Sequence, residues 1–256
     1  MQGAEQLLIT PPYQEARQMQ ATWYEQDLEK GRQEIGLVDS SFFQCHSMYP
    51  APFISLDGLD GSGKSTQCRL LAAWLRKRGF DVTECMDPGG TAIGSVIREM
   101  LLGHRHAMTL SCEMFLFMAS RAQLTAEVIR PALEAGRAVI ADRFLLANVV
   151  YQGHAGGLDP KQLWEVGRLA TGGLEPDLTV VLDLPVDVAC ARRSGPADRV
   201  ESRDTAYHER VREGFLAEAR RRPDRIQVVR ADQPVEAVHQ QICQKVTHVL
   251  AAYPRS

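Results

Sequence analysis

No apolar run in this sequence approaches 18 residues, so a membrane-spanning helix is not expected. The N-terminus also lacks a basic start followed by an apolar stretch, and a secretory signal is not expected either. Charge of one sign is missing too: 29 Lys and Arg stand against 32 Asp and Glu, a formal net charge of −3. No global basic field recruits nucleic acid, and any anion site must be built locally. Aromatic residues make up only 7%. They do not interleave with a basic stripe, which disfavours a nucleic-acid enzyme. The six cysteines, at positions 45, 68, 85, 112, 190 and 243, contain no C-x-x-C pair. Several lie in apolar runs, which points to reduced, mostly buried thiols and a cytoplasmic setting. His104 and His106 flank Arg105 without a second ligand group to complete a metal site, and read as surface histidines. There is no internal repeat or low-complexity tract. What remains is 256 residues, 45% hydrophobic and 24% charged, ample for a core in one large or two small domains.

The informative stretch is Gly58-Leu59-Asp60-Gly61-Ser62-Gly63-Lys64-Ser65-Thr66, which fits the phosphate-loop pattern G-x-x-x-x-G-K-[ST]. Phe53-Ile54-Ser55-Leu56 before it reads as a strand. After it, Cys68, Leu70, Leu71, Trp74 and Leu75 recur at helical spacing. Strand, glycine loop and helix in that order are the context the pattern needs. Glycines let the main chain approach a ligand closely. Successive N–H groups and the helix N-terminus then face phosphate oxygens. Lys64 supplies a point charge to the β- and γ-phosphates, and Ser65 a hydroxyl ligand for Mg²⁺.

Residues 1–50 read as an N-terminal extension, mobile or loosely docked. A partner contact, or a true start at Met48, remains open. Residues 51–256 read as the functional domain. Strands are expected at 53–56, 80–85, 138–141, 179–183 and 225–229. Helices are expected at 65–78, 92–102, 111–134, 160–170, 186–193, 207–221 and 234–251. Pro131 either kinks the third helix or begins a new turn. Residues 144–153 read as a glycine-rich stretch. This alternation implies a parallel sheet of about five strands with helices on both faces. Ligands then gather at the carboxyl ends of the strands, which carry the glycine loop, Asp87 and Asp142-Arg143. Asp142 is a candidate Mg²⁺-site carboxylate, or else a helix N-cap. Arg98 and Arg121 lie on helices, where a solvated face or an ion pair is an equal alternative.

Beyond the glycine loop, the chain carries Asp87-Pro88-Gly89-Gly90-Thr91, Phe115-Leu116-Phe117-Met118-Ala119-Ser120-Arg121, Asp142-Arg143-Phe144, Tyr151-Gln152-Gly153 and Asp198-Arg199-Val200-Glu201. In this set and order the sequence resembles thymidylate kinase, a P-loop nucleoside monophosphate kinase family, over about residues 53–250. The resemblance implies transfer of the γ-phosphoryl group of ATP to dTMP, with Mg²⁺ and usually as a homodimer. It implies that residues 58–66 hold ATP and that Arg98 clamps the acceptor phosphate beside Arg143. Phe117 would stack on thymine and Arg121 bond its edge. Tyr151, Gln152, Asn148 and Asp87 would line the acceptor pocket, and Asp60 would reach the acceptor sugar or a metal-bound water. Residues 192–203 look like the family's lid. Because the phosphate loop has Gly61 where some members have arginine, the catalytic arginine would come from Arg192, Arg193 or Arg199. The chain departs from the family at Asp57 and Asp87, each usually Glu, at Met86, usually Arg, and at Ala147, usually Ser. A kinase for another or broader set of pyrimidine monophosphates, or a catalytically silent nucleotide-binding protein, are the competing readings.

Overall fold

The computed structural model describes residues 49–103, 107–193 and 198–253. The expectations for residues 1–48, for His104 and His106, and for the middle of the 192–203 segment lie outside those residues. The core is a five-stranded sheet in the order β2-β3-β1-β4-β5, with every neighbouring pair parallel. The strands are β1 (Phe53–Gly58), β2 (Val82–Met86), β3 (Ala138–Asp142), β4 (Leu178–Asp183) and β5 (Ile226–Arg230). All five lie within two residues of their expected bounds.

Side chains alternate across a strand, and the two faces of this sheet are covered accordingly. Ile54 and Leu56 of β1 join Ala138 and Ile140 of β3 in one apolar cluster; Phe53, Val139 and Ala141 join the other. The first cluster is closed by α1 (Lys64–Arg76), α8 (Thr205–Arg221) and α9 (Val235–Leu250). The second is closed largely by α3 (Leu110–Leu124), α4 (Arg130–Glu134) and α6 (Pro160–Thr171). Burial on both faces explains why β1, β3 and β4 read as largely apolar runs, with Ser55 and Thr179 satisfying each other's hydroxyls at 2.7 Å. The remaining helices are α2 (Ala92–Leu102), α5 (Leu145–Asn148) and α7 (Val186–Arg192).

Two stretches differ from expectation. The long helix of residues 111–134 is interrupted by a π-helical turn, Thr125–Ile129, and Pro131 sits in the first turn of α4 just beyond it. A proline there needs no N–H donor, and the widened turn absorbs the mismatch. Most of the stretch 144–153, read only as glycine-rich, is helical: α5 runs into a π-helical turn, Val149–Ala155. Leu145 to Gly153 are buried at every position, so no amphipathic period marks the helix. Gly153 is there for packing, because a Cβ would meet Leu163 Cδ1 of α6 at 2.8 Å.

β1 lies between β3 and β4, so the chain leaves it toward one side of the sheet and later returns on the other. Such a switch point opens a crevice at the carboxyl ends of the strands. The glycine loop follows β1, Asp87 follows β2, and Asp142 ends β3. Asp183, at the end of β4, is engaged in a two-bond ion pair with Arg212 Nε and Nη2 at 2.7 and 3.0 Å.

Candidate active site

The crevice is a cleft of about 570 Å³. One end of it is the turn between β1 and α1. Gly63 has φ of 91°, a left-handed conformation that turns the chain into the helix. Gly61 has φ of 86°, and a Cβ there would lie 2.3 Å from the Ala189 carbonyl oxygen. Lys64 is buried; its Nζ donates to Leu59 O at 2.8 Å and lies 3.6 Å from Asp60 Oδ1. Burial, with the nearby Arg143 charge, lowers the Lys64 pKa from the usual lysine value. Ser65 Oγ donates to Asp142 Oδ2 at 2.5 Å. These are a hydroxyl and a carboxylate, both hard oxygen donors of the kind Mg²⁺ takes beside phosphate oxygens and water, so the pair fits that ion.

Arg143 joins this end of the cleft to the other. It has φ of 70°, the positive-φ exception among the non-glycine described residues. Such a conformation costs about 1–3 kcal/mol and persists only where the surroundings hold it. Here its Nη1 donates to Gly58 O at 2.9 Å and its Nη2 to Asp60 Oδ1 at 2.6 Å, while the guanidinium lies 5.1 Å from the Tyr151 ring. Burial opposes ionisation of Asp60, but Arg143 and Lys64 outweigh it and hold the carboxyl well below the usual range. Asp57, beneath the loop on β1, is fully buried with neither carboxylate oxygen hydrogen-bonded. Burial pushes its pKa up to about 7 against the pull of Arg143 and Lys64.

The other end is a chain of side chains. Arg121 is 1% exposed. Its Nε donates to Asp87 Oδ2 at 2.5 Å and its Nη1 to Asn148 Oδ1 at 2.9 Å. Asn148 Nδ2 donates to Gln152 Oε1 at 2.7 Å, and Gln152 Nε2 to Glu113 Oε1 at 2.6 Å. Phe117, half-buried, and Arg98 line the same cleft, and Arg98 Nη1 is held by Pro88 O at 2.9 Å.

Asp60, Gly61, Gly63 to Thr66, Asp87, Arg98, Phe117, Arg121, Asp142, Arg143, Asn148, Tyr151 and Gln152 all line this one cleft. Gly58, Leu59 and Ser62 form the loop behind the lining. Of the three candidate arginines, Arg192 and Arg193 reach the cleft. Arg192 Nη1 is bound to Ala231 O; Arg193 Nη1 donates to Glu201 O, and its Nε and Nη2 have no partner among the described residues. Arg199 faces away from the cleft, toward Glu113 Oε2 at 2.6 Å and Leu101 O. Glu113 itself escapes the sequence reading because an acid in the first turn of a helix is commonplace. Its spacing could have exposed it: Glu113, Phe117 and Arg121 follow at i, i+4 and i+8 on one face of α3.

Comparison with known proteins agrees with this geometry. The family model for thymidylate kinase matches residues 56–242. A thymidylate kinase of Symbiobacterium thermophilum is 47% identical over 200 residues, 77% of this chain and 94% of that protein. One of Exiguobacterium sp. is 46% identical over 193 residues, 74% of this chain and 91% of that protein. The crystal structure of thymidylate kinase from Ehrlichia chaffeensis superposes with a TM-score of 0.63 at 28% identity, covering 77% of this chain and 98% of that one. A family model that spans every strand but the cleft-distal start of β1, and relatives matched over nearly their whole length, leave one conclusion: this chain belongs to the thymidylate kinase family.

Proposed function

We propose that this chain transfers the γ-phosphoryl group of ATP to dTMP, giving dTDP and ADP. The observation that carries the reading is that one cleft joins a phosphate loop to a buried arginine–amide pocket, with Arg143 between them. A phosphate monoester, with a second pKa of about 6, is mostly dianionic at neutral pH, so the acceptor needs little deprotonation. The task is to hold two polyanions in line and offset the charge that builds between them.

In this reading the loop amides of residues 58–66 and Lys64 hold the ATP phosphates. Arg98 clamps the acceptor phosphate with Arg143 beside it. Phe117 stacks on the base, Arg121 bonds its edge, and Asn148, Tyr151, Gln152 and Asp87 complete the pocket. Asp60, held ionised by Arg143 and Lys64, faces the acceptor sugar. The lid supplies the transition-state arginine. A side chain at Gly61 would collide with Ala189 O, which supports a lid origin; Arg193 is favoured because it lines the cleft, where Arg199 does not, and has two nitrogens unpartnered among the described residues, where Arg192 is bound to Ala231 O. Ser65 and Asp142 would hold Mg²⁺ directly or through water, and the ion would neutralise phosphate charge. Exposed Ile93, Val96 and Met100 on α2, with Phe115 on the adjacent α3, support a homodimer. The free thiols Cys68, Cys85, Cys112, Cys190 and Cys243 suit a cytoplasmic setting.

The test is ADP release with ATP, Mg²⁺ and each of dTMP, dUMP, UMP, CMP, dCMP, GMP and AMP. A marked preference for dTMP is expected. Turnover that favours another acceptor, or none with any, overturns the reading.

A further inference from the structure

Glu113 does not line the cleft, yet three side chains converge on its buried carboxylate. Oε1 accepts from Gln152 Nε2 at 2.6 Å, while Oε2 accepts from Arg199 Nη1 at 2.6 Å and Arg203 Nη2 at 2.8 Å. Facing two guanidinium groups, it serves only as an acceptor. At the far end of the chain of bonds, the Arg121 guanidinium can only donate. Between these fixed ends lie two amides, whose oxygen and nitrogen ends are otherwise interchangeable. Glu113 requires the nitrogen of Gln152, which turns the Gln152 oxygen toward Asn148. That requires the nitrogen of Asn148, whose oxygen then meets Arg121. Every link has one polarity, and both amides border the cleft.

Resting on the functional reading above, we propose that Glu113 is a specificity-determining positioning residue. It fixes the polarity of the Gln152–Asn148–Arg121 chain, and with it the pattern of donors and acceptors presented to the pyrimidine. Thymine offers a carbonyl and an N–H along the edge where cytosine offers an amino group and a bare ring nitrogen, so a pocket of fixed polarity separates the two. Replacing the carboxylate by an amide removes the acceptor end: Arg199 and Arg203 draw the amide oxygen of residue 113, its nitrogen turns to Gln152, and the chain then has a donor at both ends, so one of its links must break whichever way the two amides turn.

The experiment compares kcat/KM for dTMP and dCMP, with ATP KM measured alongside, in the wild-type protein, Glu113→Gln and Arg203→Met. Glu113→Gln is expected to reduce the dTMP-to-dCMP ratio by about tenfold or more, because a chain with a donor at both ends breaks a link or turns an amide over, and the pocket no longer rejects the wrong edge. ATP KM stays within about twofold, as expected for a loss confined to acceptor binding. Arg203→Met keeps the ratio, since it removes a partner of Oε2 and leaves the polarity intact. Should Glu113→Gln fail to fold with two arginines unpaired, the double variant Glu113→Gln/Arg203→Met relieves one charge and must show the same loss. An unchanged ratio in whichever of these variants folds, or dTMP and ATP KM rising together, overturns the inference alone. Absence of dTMP turnover in the wild-type protein overturns the functional reading, and this inference with it.

Discussion

On the functional reading above, the donor end, Gly58 to Thr66, is consecutive in sequence, whereas the acceptor end draws Asp87, Arg121, Asn148 and Gln152, with Glu113 behind them, from separate stretches of chain. The donor end is held by backbone geometry: left-handed glycines, a helix N-terminus and one lysine tied to Leu59 O. The acceptor end is held by side chains that position one another, with Arg121 bound to Asp87, Asn148 and the Phe144 carbonyl. A backbone site tolerates change around it but loses its chemistry with a single charge. A side-chain network transmits any change along its length.

The largest expected effect falls on the donor end. Lys64→Ala should lower kcat/KM about a thousandfold or more, since Lys64 contributes a fixed charge where phosphate charge develops. Its Nζ makes few bonds that the fold depends on, so thermal unfolding should move little. Near-normal turnover would remove the loop from the chemistry. At the acceptor end the two effects should be linked. Arg121→Met should raise the acceptor KM about a hundredfold with the ATP KM nearly unchanged. It should also cost about 3–5 kcal/mol of stability, because Asp87 is left buried and unpaired. Adding Asp87→Asn should restore the stability and not the KM, which denaturant unfolding and steady-state kinetics together would separate. Equal rises in both KM values would place Arg121 outside the pocket.

Asp57 sharpens the contrast from beneath the loop. Its folded pKa of about 7 exceeds the unfolded value. Between roughly pH 4 and 7 the folded chain therefore binds the extra proton, and stability falls as pH rises through that window. Above it the buried charge costs up to about 4 kcal/mol. Asp57→Asn should match the parent near pH 4 and exceed it increasingly up to pH 7, with a plateau beyond. Urea unfolding of the nucleotide-free protein at both ends of the window checks this. Parallel curves would show that Asp57 is paired after all.

The same contrast explains what could be read from sequence. The loop, its strand and its helix are local, so composition and spacing reveal them together. Buried β3 and β4 betray themselves as apolar runs because helices cover both faces. Asp142 stands out as the acid that ends such a run, and the structure sets it against Ser65. Glu113 and the helix over residues 145–155 leave no such mark. The helix is buried on all sides and has no polar face to set a period. Glu113 owes its significance to Gln152, Arg199 and Arg203, at separations of 39 to 90 residues, and no local pattern encodes those meetings.

The smallest expected effect tests how far the acceptor end depends on helix placement. Thr91 caps α2: its Oγ1 accepts from Gly94 N at 3.0 Å, and its carbonyl accepts from Ser95 N and Oγ. Position 94 must be glycine for this close approach, since a Cβ would lie 2.7 Å from Thr91 Oγ1 and 2.8 Å from Gly89 O. One turn further along, Arg98 reaches back to Pro88 O, so the cap, the glycine turn and the arginine form one unit. Thr91→Ala should cost about 1 kcal/mol, a fall of about 2–4 °C in melting temperature for a domain of this size. Because α2 carries Arg98 and contributes nothing to the phosphate loop, the accompanying change should be a several-fold rise in acceptor KM with the ATP KM unmoved. A loss of stability without that rise would mean that Pro88 O alone holds Arg98, and that the acceptor end is anchored by the turn rather than by the helix.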